Sequence, residues 1–257
     1  MIGSTPTRLG KGAAAEGEGS GMARFYAFIF MLVGWFSVIG HYVAKSDFHS
    51  LAGTIDYFSY FTMLSNTLVA ATFTAAALFA ETRAGRFLLS PPVALATAVY
   101  ISITGLVFYF LLSGLYDLHG WEARYDHLLH YVMPPAYVLF WLLYMPKGAL
   151  HLQNVPWIMV PPLVYGGWSL LHGAISGFYP YPFLNVTKLG YANVFAHIVE
   201  FVFVFAFVAV AFVFLDRLIH HYDLQSAPAP TGDPERHPYA EGRAPTTTGS
   251  WRLFGSK

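Results

Sequence analysis

Cysteine and charge are what this chain has least of. None of its 257 residues is a cysteine, which excludes disulfides, thiolate metal ligands and a cysteine nucleophile. Only 11% of the residues are charged, whereas about a quarter are charged in a typical soluble domain. The formal net charge is zero, so no strong basic field indicates a nucleic-acid partner. The composition therefore points away from soluble and nucleic-acid-binding classes.

The chain contains long apolar runs, and 56% of its residues are hydrophobic. A helix needs about 20 residues to cross the bilayer core. Runs near that length lie at 25–43, 56–80, 93–115, 127–145, 156–176 and 192–216. The sequence therefore predicts an all-α polytopic membrane bundle of six transmembrane helices within 24–222. The polar segments 1–23 and 223–257 are predicted to be disordered N-terminal and C-terminal tails.

The lysines and arginines near the spans predict the orientation, because cytoplasmic loops carry an excess of both. The side that holds the two termini has the larger set: Arg24, Arg83, Arg86, Lys147 and Arg217. The opposite side has Lys45, Arg124 and Lys188. We therefore predict both termini in the cytoplasm and a multi-pass location in the cell (inner) membrane.

Polar residues of the spans concentrate at their outer ends. The histidines there are His41, His127, His130, His172 and His197. Thr62, Ser65 and Asn66 lie near the outer end of the second span, and Asp126 begins the fourth. Ionisable groups are costly within a membrane and usually serve a function. Because the inner half offers few polar groups, the pattern predicts an outer pocket; a pore would need polar lining along its length.

Two features of the fourth span add detail to this pocket. His127 and His130 are three residues apart and so share one helical face. Pro134 and Pro135 lack the N–H groups that would pair with the carbonyls of His130 and Tyr131, and at membrane depth such carbonyls need other partners. Ordinary structural roles are possible as well. A threonine in a membrane helix commonly bonds the carbonyl four residues back, and a histidine near a span end can be an interfacial anchor.

Three segments carry a family resemblance: YFSYFTMLSNTL, DHLLHYVMPPAYVLFW and VPWIMVPPLVYGGWSLLHGAISGFYPYPFLN. Together they resemble the androgen-induced / FAR-17a superfamily of integral membrane proteins, most closely its bacterial branch. The resemblance covers the six spans, about 25–217, and leaves out both tails. Its most specific parts are the H-x-x-H stretch followed by proline and the stretch that ends in YPFL.

The resemblance implies a chemistry, since animal members of the superfamily are threonine hydrolases that cleave fatty acid esters of hydroxy fatty acids. Thr62 matches the nucleophile of the family and His130 its histidine. His127 matches the first histidine of the pair, His172 a histidine on the following helix, and Tyr181 begins the matching YPFL loop. The chain departs from the animal T-F-I-D segment, whose acid is replaced here by Ser65.

The function expected is that of a threonine/histidine lipid-ester hydrolase with its active site in the outer half of the membrane. A threonine hydroxyl needs an adjacent base, and neutral histidine suits that task. Candidates to orient His130 are Asp126, His127 and His172. Candidates to hold the oxyanion are Asn66, Ser65 and a backbone N–H. The pocket is completed by His197 and Tyr181, the expected partner is a membrane lipid or fatty-acyl ester, and no cofactor is expected.

Three other interpretations remain open from the sequence. A zinc hydrolase could draw its three ligands from the set His127, His130, His172, His197, Asp126 and Glu200. A non-catalytic lipid-binding or transport protein could use the same polar cluster for a headgroup. A purely structural role would make the histidines packing and interfacial residues only.

Overall fold

The computed structural model describes residues 9–45, 47, 49–115 and 117–226. Nine α-helices follow one another in this part of the chain: α1 (Leu9–Lys45), α2 (Leu51–Phe58), α3 (Phe61–Leu78), α4 (Arg83–Leu88), α5 (Pro91–Val107), α6 (Gly120–His127), α7 (Met133–Tyr144), α8 (Val155–Ser176) and α9 (Val186–Ser226). π-helical turns span Phe108–Leu112 and Leu128–Val132, and 3₁₀ turns span Leu152–Asn154 and Pro182–Leu184. The same ranges contain no strand. The all-α architecture is therefore confirmed.

Five helical segments are long and apolar enough to cross a membrane: Gly19–Lys45, Phe61–Leu78, Pro91–Leu112, Leu152–Ser176 and Val186–Tyr222. They correspond to five of the six predicted spans. The remaining span, 127–145, is helical but divided by the π turn Leu128–Val132, so neither α6 nor α7 reaches the required length alone. Large apolar side chains such as Phe25, Phe110 and Phe207 are exposed on the bundle, as expected of a surface that faces lipid.

The core lies where α1, α3, α5 and α7 pack together, with α9 against α5 and α8 against α9. Phe73, Tyr137, Phe140 and Trp141 are the largest of its fully buried side chains. Small residues let the helices approach closely in a membrane. A Cβ on Gly105 of α5 would lie only 3.1 Å from the Pro134 side chain of α7.

The second predicted span, 56–80, is two helices in the structure, because α2 ends at Phe58 and α3 begins at Phe61. Two side chains of α8 hold the break. The indole N–H of Trp168 donates to Ser59 Oγ at 3.0 Å, and the Tyr165 hydroxyl donates to Ser59 O at 3.1 Å. Tyr60 then takes an extended conformation with φ −82° and ψ 129°. The prediction of one continuous helix is wrong here, since tertiary hydrogen bonds end α2 early.

The carbonyls freed by prolines find donors on neighbouring helices. Just before Pro134 the backbone has the π-helical pattern, in which an N–H group donates to the carbonyl five residues earlier: Met133 N–H donates to Leu128 O. The next donor in that register would be Pro134, which has no N–H, and Leu129 O accepts instead from Asn66 Nδ2 at 3.2 Å. Neighbouring side chains therefore supply the donors, as expected, although the acceptor lies one residue before the expected His130.

The ends of the bundle differ from the predicted domain boundaries. Helix α1 begins at Leu9, within the segment 1–23 that was predicted to be a disordered tail. Helix α9 continues to Ser226. Residues 1–8 and 227–257, which hold the rest of both predicted tails, lie outside the described residues.

Asp216 is a buried acid near the C-terminal end of α9 that the sequence patterns did not single out. Its Oδ2 accepts from Gly148 N–H at 2.9 Å and from Leu150 N–H at 3.3 Å. The residue is fully buried. The carboxylate therefore fastens the loop between α7 and α8 to α9, which is a structural role.

Candidate functional site

Thr62 is the second residue of α3, and its backbone N–H has no helical acceptor because the first turn of a helix leaves such groups unpaired. The Tyr181 hydroxyl fills this position, since its oxygen lies 3.1 Å from Thr62 N and 3.1 Å from Thr62 Oγ1. Thr62 is only 6% exposed. Its hydroxyl therefore faces other side chains, and the common bond to a carbonyl four residues back does not form.

His130 approaches Thr62 from the π turn Leu128–Val132. Its Nε2 lies 3.4 Å from Thr62 Oγ1. Its Nδ1 lies 2.9 Å from the backbone oxygen of Asp126 and 3.2 Å from Asp126 Oδ1. Because a carbonyl oxygen can only accept, Nδ1 carries a proton, and in the neutral ring Nε2 is then an acceptor for the Thr62 hydroxyl.

The ring of Phe108 stacks on that of His130, with centroids 3.8 Å apart and planes 16° from parallel. Phe108 begins one π turn and His130 lies in the other. π turns frequently mark functional sites. Sequence reasoning did not single out Phe108, and one phenylalanine among many in an apolar span carries no signal that could have identified it.

Two cavities meet at Thr62. The larger, of about 320 Å³, is polar on one side and is lined by residues that include His41, Asp56, Asp126, His130 and Tyr181. The smaller, of about 80 Å³, is almost entirely apolar and lies between α3, α5, α8 and α9. Thr62, Leu112 and Tyr181 line both. The hydroxyl of Thr62 is therefore at the junction between a polar and an apolar chamber.

Ser65 and Asn66 hold α3 in place. Ser65 Oγ lies 3.1 Å from Thr62 O, to which it donates, and 2.8 Å from Thr104 Oγ1 on α5. The Asn66 amide donates to Thr62 O at 3.0 Å and to Leu129 O. Both amide hydrogens are in use, and neither residue lines the cavities. Their contacts fix the helix that carries Thr62.

His41 and Tyr57 form a separate contact on the wall of the polar cavity, with His41 Nδ1 3.3 Å from the Tyr57 hydroxyl. Burial, with a smaller contribution from Tyr42, raises the pKa of Tyr57. Its hydroxyl therefore stays protonated and donates to Val38 O at 2.9 Å.

His172 does not line the polar cavity, although it contacts two residues that do, Asp56 and Phe178. Its Nε2 lies 2.7 Å from Asp56 Oδ1, and its ring stacks on Trp168 with centroids 5.4 Å apart. Asp56 lines the cavity, whereas His172 does not. His172 is therefore not in contact with the Thr62–His130 pair.

Two of the predicted histidines lie away from the cavity. His127 is exposed, since the π turn that follows it changes the helical register between it and His130. His197 pairs with Glu200 at 3.2 Å on α9. The residue after it, Ile198, faces the apolar cavity, and successive residues of an α-helix point about 100° apart. Of the five histidines that the sequence places at the outer ends of the spans, only His41 and His130 therefore line the polar cavity.

A metal site receives no support from the ligand geometry. Among the residues that the structure describes, no group of three or more metal-ligating side chains lies close enough to hold an ion. The histidines that pair with carboxylates have separate partners: His130 with Asp126, His172 with Asp56, and His197 with Glu200. The ligands that the zinc interpretation requires do not converge.

Asp126, His130 and Thr62 have the order of acid, base and hydroxyl that acyl-transfer enzymes use. In that order the base accepts the hydroxyl proton, and the acid holds the base in one tautomer. The apolar chamber beside the hydroxyl is suited to a hydrocarbon chain. Comparison of the chain with protein-family models, with curated proteins and with solved structures gave no match in any of the three.

Proposed function

We propose that this chain is an integral membrane lipid-ester hydrolase in which Thr62 is the nucleophile and His130 the general base. The observation that carries the proposal is the 3.4 Å approach of His130 Nε2 to Thr62 Oγ1 in a buried position at the junction of two cavities. Catalytic hydrogen bonds are often long before substrate binds. Membership of the androgen-induced / FAR-17a superfamily is part of this proposal.

The reaction begins when Thr62 Oγ1 bonds to the ester carbonyl carbon while its proton passes to His130 Nε2. The bond from that carbon to the alcohol oxygen then breaks, and His130 returns the proton to the departing alcohol. Water, deprotonated by His130, next bonds to the carbonyl carbon of the acyl–threonine ester; the bond from that carbon to Thr62 Oγ1 breaks, His130 returns the proton to Oγ1, and the fatty acid is released. Asp126 stabilises the imidazolium that forms twice in this cycle.

The two cavities suggest how an amphiphilic ester would lie. The apolar cavity, walled by aromatic residues such as Phe201 and Phe205 of α9, takes the acyl chain. The polar cavity takes the alcohol portion, and the ester bond lies between them beside Thr62. Fatty acid esters of hydroxy fatty acids and related fatty-acyl esters have this shape, which makes them the proposed substrate class.

The enzymatic test is ester hydrolysis by the purified protein in detergent with a panel of fatty-acyl esters. We expect turnover that Thr62→Ala and His130→Ala abolish. Thr72→Ala is the matched control, because Thr72 is also a buried threonine of α3 but lines neither cavity; its hydroxyl donates to the carbonyl of Leu68 at 2.8 Å, and its side chain contacts Tyr137. No turnover by the native protein, or full activity in Thr62→Ala, would overturn the proposal.

The proposal includes a topology of six spans, with α6, the π turn Leu128–Val132 and α7 together forming the fourth. Both termini are cytoplasmic, the protein lies in the cell (inner) membrane, and the polar cavity opens to the outer side. Since the chain has no cysteine, an introduced one is the only thiol. A membrane-impermeant maleimide should label Asp117→Cys on intact cells and Glu81→Cys only after permeabilisation. The reverse pattern would contradict this orientation.

A non-catalytic lipid-binding or transport role is the second candidate, and the apolar cavity beside Thr62 is the observation that favours it. It predicts saturable binding of a fatty-acyl ligand together with no hydrolysis of any ester. Equal ligand affinity in the native protein and in Thr62→Ala would support it further, since the hydroxyl would then have no chemical task.

A further inference from the structure

The Tyr181 side chain is fixed against Thr62 by its aromatic neighbours. It is buried and immediately precedes the 3₁₀ turn Pro182–Leu184. The ring of Phe183 stacks on it with centroids 5.1 Å apart, and the ring of Tyr60 meets it edge-on at 5.6 Å. The position of its hydroxyl is therefore set by packing on both sides.

The donor and acceptor of each hydrogen bond around Thr62 can be assigned in one consistent way. Asp126 O accepts from His130 Nδ1, so His130 Nε2 accepts the hydroxyl proton of Thr62. The backbone N–H of Thr62 can only donate, and it donates to the Tyr181 oxygen. The Thr62 hydroxyl has no second proton, so in its remaining contact with Tyr181, at 3.1 Å, the tyrosine is the donor.

From this pattern of hydrogen bonds we infer that the Tyr181 hydroxyl is the oxyanion donor of the site. The inference rests on the proposed hydrolase function. When Thr62 Oγ1 bonds to the carbonyl carbon, its lone pair enters the new bond and the carbonyl π pair moves to the carbonyl oxygen. The Tyr181 hydrogen bond then turns from Oγ1 to that oxygen, and the proton stays on the tyrosine.

Two features around Thr62 favour this assignment. Thr62 N–H lies in the first turn of the 18-residue helix α3, where the helix dipole favours negative charge. The sequence-based candidates for the same task, Asn66 and Ser65, are engaged with backbone carbonyls and do not line either cavity. Tyr181 lines both cavities and meets Thr62 where the ester must lie.

The test compares an ester with its matched thionoester, in which sulfur replaces the carbonyl oxygen. Sulfur is a weak hydrogen-bond acceptor, so it gains little from an oxyanion donor. We expect Tyr181→Phe to lower kcat for the ester by about 10²-fold, the usual effect of removing one such donor, with KM nearly unchanged. The ester-to-thionoester preference should fall by a similar factor. A merely structural role would slow both substrates equally.

The matched control is Tyr100→Phe, which removes another buried tyrosine hydroxyl. That hydroxyl donates to Ile158 O at a distance of 2.6 Å, and Tyr100 lines neither cavity. The control variant should leave the ester-to-thionoester preference at the native value. Native kcat in Tyr181→Phe, or an equal loss on the two substrates, would overturn the inference while activity abolished by Thr62→Ala still upheld the hydrolase. No turnover by the native protein would overturn both.

A second variant covers the case in which Tyr181→Phe does not fold. Replacing Tyr181 with 3,5-difluorotyrosine keeps the ring and the hydroxyl but makes the phenol more acidic. Because a phenolate cannot donate, we expect ester turnover by this variant to fall at a lower alkaline pH than that of the native protein. Identical pH profiles for the two proteins would overturn the inference.

Discussion

Phe108 and His130 stack ring on ring at 3.8 Å, and each belongs to a π turn on a different segment of the bundle. The contact fixes one face of the imidazole, while Asp126 fixes its Nδ1 edge. The orientation of the proposed base therefore depends on an apolar residue as well as on an acid.

Replacing Phe108 with alanine should remove this support and let the imidazole turn away from Thr62. We expect kcat to fall by about tenfold, which corresponds to a loss of about 1.4 kcal/mol in transition-state stabilisation. Phe108→Tyr, which keeps a ring, should retain most of the activity. Steady-state kinetics on one ester checks both variants, and equal activity in Phe108→Ala and the native protein would show that stacking does not matter.

Asp126→Asn separates the two contacts that Asp126 makes with His130. The backbone oxygen of Asp126, at 2.9 Å from Nδ1, remains in the variant and still fixes the tautomer. Only the negative charge at 3.2 Å is lost. We therefore expect kcat to fall by about 10- to 100-fold, less than the roughly 10⁴-fold loss when an acid sets the tautomer alone. A loss near that larger value would mean that the carboxylate does more than stabilise charge.

Gly166→Leu should shorten the acyl chain that the site accepts. Gly166 lines the apolar cavity, and a Cβ built there meets no atom within 4 Å. The added Cβ therefore meets no atom, and the rest of the leucine side chain should take up cavity space. We expect kcat/KM for long acyl chains to drop while that for short chains is retained. Gly167→Leu is the control, since Gly167 is equally open but does not line the cavity; an identical chain-length profile in Gly166→Leu would contradict the proposed acyl site.

Gly105→Ala tests the close contact between α5 and α7. The added Cβ would lie 3.1 Å from the Pro134 side chain and 3.3 Å from His130 O. Overpacking of this kind costs about 1–3 kcal/mol, so we expect a lower thermal unfolding temperature in detergent. Gly114→Ala, where a Cβ meets nothing within 4 Å, should leave that temperature nearly unchanged. Equal melting of the two variants would show that α5 can move without cost.

Asp216→Ala should loosen the attachment of the loop between α7 and α8 to α9. The substitution leaves Gly148 N–H and Leu150 N–H without their acceptor, and a buried donor left unpaired costs about 1–3 kcal/mol. Asp216→Asn keeps an accepting oxygen and should lose less. Limited proteolysis of the loop that contains Gly148 reports the effect directly. Protease sensitivity in Asp216→Ala equal to that of the native protein would indicate that the carboxylate does not hold this loop.

The sequence predicts well those helices whose first and last residues are determined by neighbouring residues in the chain. The predicted span 156–176 agrees with α8, Val155–Ser176, because Pro156 favours a first turn and Gly177 ends the helix with φ +78°. Composition alone determines the membrane class as well. Such features need no knowledge of neighbouring helices.

The parts that the sequence could not predict depend on contacts between distant segments. Ser59 and Tyr60 contain no strong helix breaker, and α2 ends there because Trp168 and Tyr165 bind Ser59. The π turns likewise have no periodicity that sequence patterns can detect. Asp126 could be singled out from His127 and His172 as the partner of His130 only once the π turn and its contacts were known.

The break at Ser59 has a consequence for the order in which the chain acquires its site. Residues 165 and 168, which hold the break, follow it by more than 100 positions, and Tyr181 follows Thr62 by 119. A nascent chain inserted as far as α7 already contains Thr62 and His130, yet it lacks the two side chains that bind Ser59 and the Tyr181 hydroxyl that pairs with Thr62 N–H. The arrangement around Thr62 is therefore complete only after α8 and the loop beyond it have joined the bundle, and on the proposed function a chain that is still unfinished would not hydrolyse esters.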